Sequence, residues 1–202
     1  MSFRPRRALI AATAFALLPM PAIAQQFSDS YQFLEAIRKA DGDKVTNFLN
    51  KPGTLIINTK DRETGDTALH IVARRGDITY LRFLLSKGAN ANATNRAGET
   101  PMLVATNQGF NEGVAVLLQV KANPNLGNTS GETPLIRAVQ LRNIDLVRTL
   151  LAEGADPDKP DLLAGMSARD YARTDGRVPP AITKMLAEAP KRERKAVAGP
   201  GL

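Results

Sequence analysis

Apolar and polar positions along the chain repeat with a period of 33 residues. A motif of Gly, an acidic residue and Thr, followed mainly by apolar residues, occurs at 65–70, 98–103 and 131–136, and a weaker copy begins at Gly165. Paired leucines keep the same period further along each unit, at Leu84-Leu85, Leu117-Leu118 and Leu150-Leu151. Two sets of positions that hold one period over three units indicate a stacked array of small units rather than a closed globule.

Each unit is predicted to contain two helices. Thr67, Thr100 and Thr133 lie where a helix N-cap belongs, and Pro101 and Pro134 take the first helical position, where a missing N–H costs nothing. A first helix of about nine residues is only marginally stable in water, so its apolar side chains must pack between neighbouring units. The expected core positions are Leu69, Val72, Ala73, Leu103, Ala105, Leu135, Ala138 and Val139 in the first helices, and Ile78, Leu81, Leu84, Leu85, Val114, Leu117, Leu118, Ile144, Val147, Leu150 and Leu151 in the second.

The order of these motifs resembles the ankyrin repeat family, whose units read Gly, Thr-Pro-Leu-His, a Gly turn, paired leucines and Gly-Ala-Asp. In the first unit the matching residues are 67–70, Gly76, Leu84-Leu85 and 88–90, and the likeness extends over roughly residues 31–187. The resemblance implies an all-α ankyrin repeat solenoid of helix-turn-helix units with β-hairpin fingers. It implies a shared scaffold and no particular chemistry.

The expected organisation has seven parts. They are a signal peptide at 1–24, an N-terminal capping helix pair at 25–64, ankyrin repeats at 65–97, 98–130 and 131–164, a divergent C-terminal capping unit at 165–189, and a disordered basic tail at 190–202. The turn glycines of the two caps are expected at Gly42 and Gly176, by their spacing from the turn glycine Gly76 and their place between the two helices.

The first 24 residues have the pattern of a secretory signal. Three arginines precede an apolar run at 8–18, and Ala22-Ile23-Ala24 is a small-x-small cleavage site. We expect cleavage after Ala24 and a periplasmic or secreted protein. An uncleaved anchor and a twin-arginine export route, favoured by Arg6-Arg7, stay open as alternatives.

Several positions depart from the repeat pattern. Asn111 and Gly113 replace apolar residues at the start of a second helix, and a helical Gly costs about 1 kcal/mol against Ala. We therefore expect the middle unit to be the softest. Lys121 and Arg142 replace glycines that usually take a left-handed backbone. The hairpins before Gly65 and Gly165 are one residue longer than the inner two, so their fingers should project further.

Composition and charge exclude several classes of function. The chain has no cysteine and one histidine, which excludes disulfides, thiolate metal sites, lipid anchoring through cysteine and most catalytic triads. The formal net charge is +7, but three arginines lie in the expected signal peptide and the stretch 191–195 carries +3. The folded body is left near +1, whereas a nucleic-acid binder places its positive charge on the folded surface. No nucleic-acid partner is expected.

The chain offers few candidates for chemistry. The resemblance implies that His70, the single histidine, forms structural hydrogen bonds within and between repeats, although a catalytic or ligand role is the alternative. Asp156, Asp158 and Asp161 are the densest carboxylates, and they fit either hairpin turns or, less well, a calcium ion. No phosphate-binding glycine loop or nucleophile elbow is present, so we expect no enzyme, cofactor or metal site.

The remaining candidate is a partner-binding surface. The resemblance implies a concave face lined by the fingers and by the exposed ends of the first helices. Two leucines at 162–163 are either exposed anchors on this face or folded onto the C-terminal unit, and Arg74-Arg75 at the other end would meet acidic groups. By position the surface comprises Arg62, Glu63, Asp66, Arg74, Arg75, Arg96, Glu99, Asn107, Gln108, Thr129, Glu132, Gln140, Leu141, Leu162 and Leu163.

We therefore predict an exported, non-enzymatic module of the bacterial envelope, expected to be monomeric, that binds another protein through this face. The alternative is an envelope-surface binder, in which the basic tail attaches to anionic lipid or cell-wall polymer and the repeats act as a spacer. An enzyme, such as a hydrolase, is a third hypothesis. The identity of the partner and the biological process do not follow from the sequence.

Overall fold

The computed structural model describes residues 22–52 and 55–190. Within these ranges the chain forms ten α-helices, one short 3₁₀ helix at Ile56–Asn58 and no β-strand. The α-helices are α1 Ala22–Arg38, α2 Gly42–Leu49, α3 Ala68–Arg75, α4 Ile78–Ser86, α5 Pro101–Asn107, α6 Asn111–Gln119, α7 Pro134–Gln140, α8 Ile144–Ala152, α9 Ala168–Thr174 and α10 Pro180–Glu188. The all-α architecture is therefore confirmed.

The helices stack in two rows. In the inner row each of α1, α3, α5, α7 and α9 contacts the next, and α4, α6, α8 and α10 form the outer row in the same way. The two helices of every pair also contact each other. An apolar core runs continuously from Phe33 in α1 to Leu186 in α10. Because each pair is too small to bury its own apolar face, neighbouring pairs complete the core.

The helix starts follow from the predicted caps. The hydroxyls of Thr100 and Thr133 accept the backbone N–H three residues further on, at 3.2 and 3.3 Å, and proline follows each of them. In the outer row, the side chains of Asp77 and Asn143 cap α4 and α8. These polar caps satisfy N–H groups that have no partner inside the helix.

The turns that follow the helices, within a pair or after it, confirm some predictions and correct one. Lys121 and Arg142 adopt the left-handed backbone, with φ of 62° and 56°. The turn residue of the N-terminal cap is Ala40, at φ 54°, and not Gly42, which is the first residue of α2. As predicted, Gly176 lies in the turn between α9 and α10, although it is not among the described positive-φ residues. Here the aspartate before it caps the turn by accepting the N–H of residue 177.

Four tight turns, which we call the fingers, precede the inner-row helices at 61–66, 95–99, 128–132 and 161–166. In each finger the N–H of the first residue donates to the carbonyl of the last. The first and fourth fingers are one residue longer, as predicted. One backbone hydrogen bond also joins each finger to the next: Arg96 N–H to the Thr64 carbonyl at 2.9 Å, Thr129 to Ala97 at 3.0 Å and Leu162 to Ser130 at 2.8 Å.

The departures in the middle unit have packing partners. Phe110 lies at the N-cap of α6 without a side-chain cap, and its ring covers Gly113. A Cβ built on Gly113 would lie 2.3 Å from two ring carbons of Phe110, so this position has no room for a larger residue. Asn111 accepts a hydrogen bond from the side-chain amide of Asn143 at 3.0 Å. That the middle unit is the softest stays a prediction.

The two ends of the described region meet the predicted terminal segments. The expected signal peptide lies outside the described residues, except for the start of α1 at Ala22, and the basic tail from 191 lies outside them as well. At the C-terminal end, the buried Arg169 donates to the carbonyl of Ala189 at 2.7 Å and to Asp158 at 2.7 Å. Among the described helices, none combines the length and apolar character that crossing a membrane requires.

Candidate functional site

The base of the first finger is joined to the end of α3 by an ion pair whose carboxylate is buried. Asp66 is only 3% exposed, and its carboxylate accepts from the Arg74 guanidinium at 2.6 Å and from the Asn95 amide at 2.9 Å. Burial by itself raises the pKa of Asp66, but the hydrogen bonds from Arg74 and Asn95 outweigh it and hold this pKa below its ordinary value. Asp66 and Arg74 are therefore structural partners of each other.

The second and third fingers repeat this arrangement. Glu99 accepts from Asn95 at 2.9 Å and from Asn107, at the end of α5, at 3.2 Å. Glu132 accepts from Asn128 at 3.3 Å and lies 3.9 Å from Arg137, whose guanidinium donates to Gln140 at 3.3 Å. We call this row of finger-base and helix-end side chains the polar floor: Asp66, Arg74, Asn95, Glu99, Asn107, Asn128, Glu132, Arg137 and Gln140.

His70 lies beneath the floor, fully buried. Its Nδ1 accepts the N–H of Thr67 at 3.1 Å, and its Nε2–H donates to the Glu99 carbonyl at 2.9 Å, which joins one repeat to the next. Burial lowers the pKa of His70, so the neutral ring is the stable form. Both ring nitrogens are occupied by backbone partners, which is the structural role that the resemblance implied.

Arg75 does not lie with the polar floor. Its guanidinium donates to the carbonyl of Ile37 at 2.7 Å and to Asp77 at 2.8 Å, and it lies 5.3 Å from the centre of the Tyr80 ring. These contacts join the end of α1 to the turn between α3 and α4. A partner-binding role for Arg75 stays a prediction, but the structure gives this side chain internal partners.

The finger tips carry the exposed part of the predicted surface. Arg62, Arg96, Thr129 and Leu162 each follow the capping residue of a finger, so they occupy equivalent positions, and all four are exposed. The Arg96 guanidinium donates to the Arg62 carbonyl. The second tip residues include Glu63 and Leu163, also exposed. At the helix ends, Gln108 and Leu141 are exposed as well.

The two leucines of the fourth finger do not fold onto the C-terminal unit. Leu162 is 76% exposed and Leu163 is 83% exposed. The buried Asp161 holds them in this position, because its Oδ1 accepts the N–H groups of residues 163, 164 and 165 at 2.7–3.1 Å. Its Oδ2 accepts from the Tyr171 hydroxyl at 2.5 Å, and this bond raises the pKa of Tyr171 to about 12.

The aspartates weighed as a calcium site use their oxygens in turns. Asp156 accepts the N–H of Asp158, and Asp158 pairs with Arg169 at 2.7 Å, while Asp161 caps the fourth finger. Within the described ranges, no group of three or more His, Cys, Asp or Glu side chains is placed to hold a metal ion. The turn interpretation accounts for Asp156 and Asp161, whereas the oxygen of Asp158 forms an ion pair with α9.

Sequence reasoning missed an open cleft between α1 and the first finger. It has a volume of about 940 Å³, and Tyr31, Leu34 and Arg38 of α1 face residues 59–64 across it. Arg38 crosses the cleft and donates to Asp61 at 2.6 Å. The hydrogen bond from the backbone N–H of Thr64, with that of Arg38, lowers the pKa of Asp61 to about 2. Tyr31, which lines the cleft, is exposed.

The finger-capping residues were also missed. Asn95 and Asn128 each accept backbone N–H groups of their own finger through Oδ1 and donate to the following Glu through Nδ2. Asp61 caps the first finger in the same way. Their recurrence one residue before each tip was visible in the sequence.

Comparison with known families agrees with this geometry. A family model described as ankyrin repeats in three copies matches residues 33–128 and again 81–161. The two matches together cover more than half of the chain and include the fingers 95–99 and 128–132 with the helices between them. Ankyrin repeats typically act as protein–protein interaction modules. The chain therefore belongs to the ankyrin repeat family.

Proposed function

We propose that this protein is an exported, non-enzymatic interaction module of the bacterial envelope, which binds another protein through its finger tips and exposed helix ends. The observation that carries the proposal is the division of the face into two layers. The carboxylates of the polar floor accept from neighbouring side chains, whereas the tips project exposed side chains, including two leucines at 76% and 83% exposure. A preorganised surface with exposed apolar anchors is suited to a protein partner.

The non-enzymatic part of the proposal is supported by the state of the titratable groups. His70 is buried with both ring nitrogens occupied, so it cannot take a proton from a substrate on the surface. The carboxylates of the polar floor accept from neighbouring Asn and Arg side chains. Ser167 caps α9, and its hydroxyl donates to Asp170 at 2.6 Å within the capping box of that helix.

The export part of the proposal rests on the signal pattern of residues 1–24. We propose a periplasmic or secreted monomer with no nucleic-acid partner. Fractionation of cells tests the location: an envelope or medium fraction containing a chain that begins at Gln25 supports it, and full-length protein in the cytosol refutes it.

A pull-down from the envelope fraction tests the binding face. The double variant Gln108→Arg/Leu141→Arg places two charges on exposed helix ends that make no side-chain contacts in the polar floor. The matched control is Gln119→Arg/Val120→Arg, which places the same charges on the exposed end of α6 in the outer row. Loss of the bound protein with the first variant alone supports the proposal. Equal recovery by both variants refutes it.

The basic tail gives an alternative function, attachment to anionic lipid or cell-wall polymer. Residues 191–202 lie outside the described residues, and the basis for this alternative is their positive charge. Sedimentation with anionic liposomes, with and without residues 191–202, separates the two functions. A salt-sensitive loss of binding on truncation favours the tail, and no binding by the full chain excludes lipid attachment.

A further inference from the structure

The finger tips form one ordered row whose chemistry changes along its length. The equivalent positions read Arg62, Arg96, Thr129 and Leu162 from the first finger to the fourth. Backbone hydrogen bonds of 2.8–3.0 Å connect each finger to the next, so the order along the row is fixed. The row is therefore basic at one end and apolar at the other.

The basic end carries exposed arginines on the finger tips. At the helix end behind them, Arg74 pairs with Asp66 at 2.6 Å, and Arg75 bonds to α1 and to Asp77. Arg62 and Arg96 are exposed at the tips, where the Arg96 guanidinium donates to the Arg62 carbonyl and Glu63 lies beside them. An approaching chain at this end meets two guanidinium groups and one carboxylate, which favours acidic side chains.

The apolar end is rigid. Three backbone N–H groups of the fourth finger donate to Asp161, and Asp161 is itself held by Tyr171. The backbone at 162 and 163 therefore cannot move towards the body without breaking this cap. A rigid exposed apolar anchor loses little conformational freedom when a partner covers it.

We propose that the finger tips bind one extended segment of a partner protein, with its acidic residues over Arg62 and Arg96 and its apolar residues over Leu162 and Leu163. This proposal rests on the proposed function and specifies the partner for that face. Neighbouring helices pack roughly 8–10 Å apart, so three steps along the row span roughly 24–30 Å. An extended chain covers this distance with about eight residues. The acidic group over Arg62 and the apolar group over Leu162 should have this separation.

Selection from a random library of 16-residue peptides, displayed on phage and applied to the full chain, tests the proposal. Enriched peptides should carry Asp or Glu at one end and Leu, Ile, Val or Phe at the other, roughly eight residues apart. Their affinity should fall as salt rises, because the acidic end is exposed to solvent. Enrichment of peptides without this division, or of none, overturns the proposal.

Two double variants, each with a matched control, test which end of the finger row binds the acidic part of the peptide and which binds the apolar part. Arg62→Gln/Arg96→Gln should weaken the selected peptides and reduce their salt dependence, and Leu162→Ser/Leu163→Ser should weaken them at least about tenfold. The controls are Arg82→Gln/Arg148→Gln and Leu55→Ser/Val120→Ser, which remove the same groups from exposed positions outside the finger tips. Equal effects of a tip variant and its control contradict the proposal.

These experiments distinguish a failure of the finger-tip proposal from a failure of the proposed function. If tip variants leave peptide binding unchanged while Gln108→Arg/Leu141→Arg abolishes recovery of the envelope partner, the binding face stands and the tip assignment fails. Self-association that depends on Leu162 and Leu163, measured by sedimentation velocity, would identify a second copy as the occupant and would also overturn the tip assignment.

Discussion

Replacement of Gly113 by Ala tests the packing of the middle unit. Helix propensity predicts that this substitution raises the free energy of unfolding, whereas the structure predicts that it lowers it. Replacing an exposed helical Gly by Ala stabilises a protein by about 1 kcal/mol. Gly113 is buried, and an added Cβ would lie 2.3 Å from Cδ1 and Cε1 of Phe110 and 3.0 Å from Cγ. Overpacking of this kind costs about 1–3 kcal/mol. We therefore expect Gly113→Ala to lower the free energy of unfolding by up to about 2 kcal/mol.

The same substitution should stabilise the protein once the ring is removed. Phe110 occupies the N-cap of α6 without a side-chain hydrogen bond, whereas Asp77 caps α4 by accepting the N–H of Tyr80 at 2.9 Å. Phe110→Asp supplies such a cap, which contributes about 1 kcal/mol, and removes the clash. In this background Gly113→Ala should raise the free energy of unfolding by about 1 kcal/mol.

The assay is a double-mutant cycle by urea unfolding, followed by far-UV circular dichroism. The structure predicts a coupling free energy of about 1–3 kcal/mol between the two positions, since they are in contact. Comparable m-values in the four proteins would show that the unfolded states are alike. Stabilisation by Gly113→Ala of the same size in both backgrounds would refute the packing argument.

The remaining predictions concern titration and the core. Asp61, with a pKa of about 2, contributes stability that is present above its ordinary pKa of 3.8 and is lost as pH falls through about 2; Asp61→Asn should remove this dependence in acid unfolding curves. Neutral His70 contributes stability that is fully present above about pH 6.5 and is lost as the pH falls through the lowered pKa of this residue. His70→Gln should remove this pH dependence from the free energy of unfolding. Tyr171 should ionise near pH 12 by its absorbance at 295 nm, and Asp161→Asn should lower this pKa towards 10. Leu117→Ala, at a fully buried position, should cost roughly 2–5 kcal/mol by urea unfolding.

Periodicity was sufficient to predict the fold because each repeat obeys the same local rules. Thr100 and Thr133 cap helices as their spacing indicates, and the paired-leucine motif supplies buried core residues such as Leu117. Lys121 and Arg142 take the left-handed turn that their position requires. Where the pattern weakens, in the N-terminal cap, spacing from Gly76 misplaced the turn at Gly42, because the length of the connecting segment differs there.

The candidate site was predicted as a face but not as two layers. Sequence position places Asp66 and Arg62 near each other, yet one is 3% exposed and the other projects from a tip. The direction of a side chain depends on contacts across repeats, such as Asn95 with Asp66 at 2.9 Å and Arg75 with Ile37 at 2.7 Å. Periodicity within one repeat does not contain this information. The same holds for Gly113, whose small size is required by the neighbouring ring.

Site-specific photo-crosslinking in intact cells tests the central claim most directly, which is that one face of the repeat stack holds a partner protein. A photoreactive amino acid replaces Gln108, exposed at the end of the inner-row helix α5, or Gln119, exposed at the end of the outer-row helix α6 of the same unit. A discrete protein adduct is expected from position 108 and none from position 119. Adducts of equal yield from both positions, or from neither, would contradict the central claim.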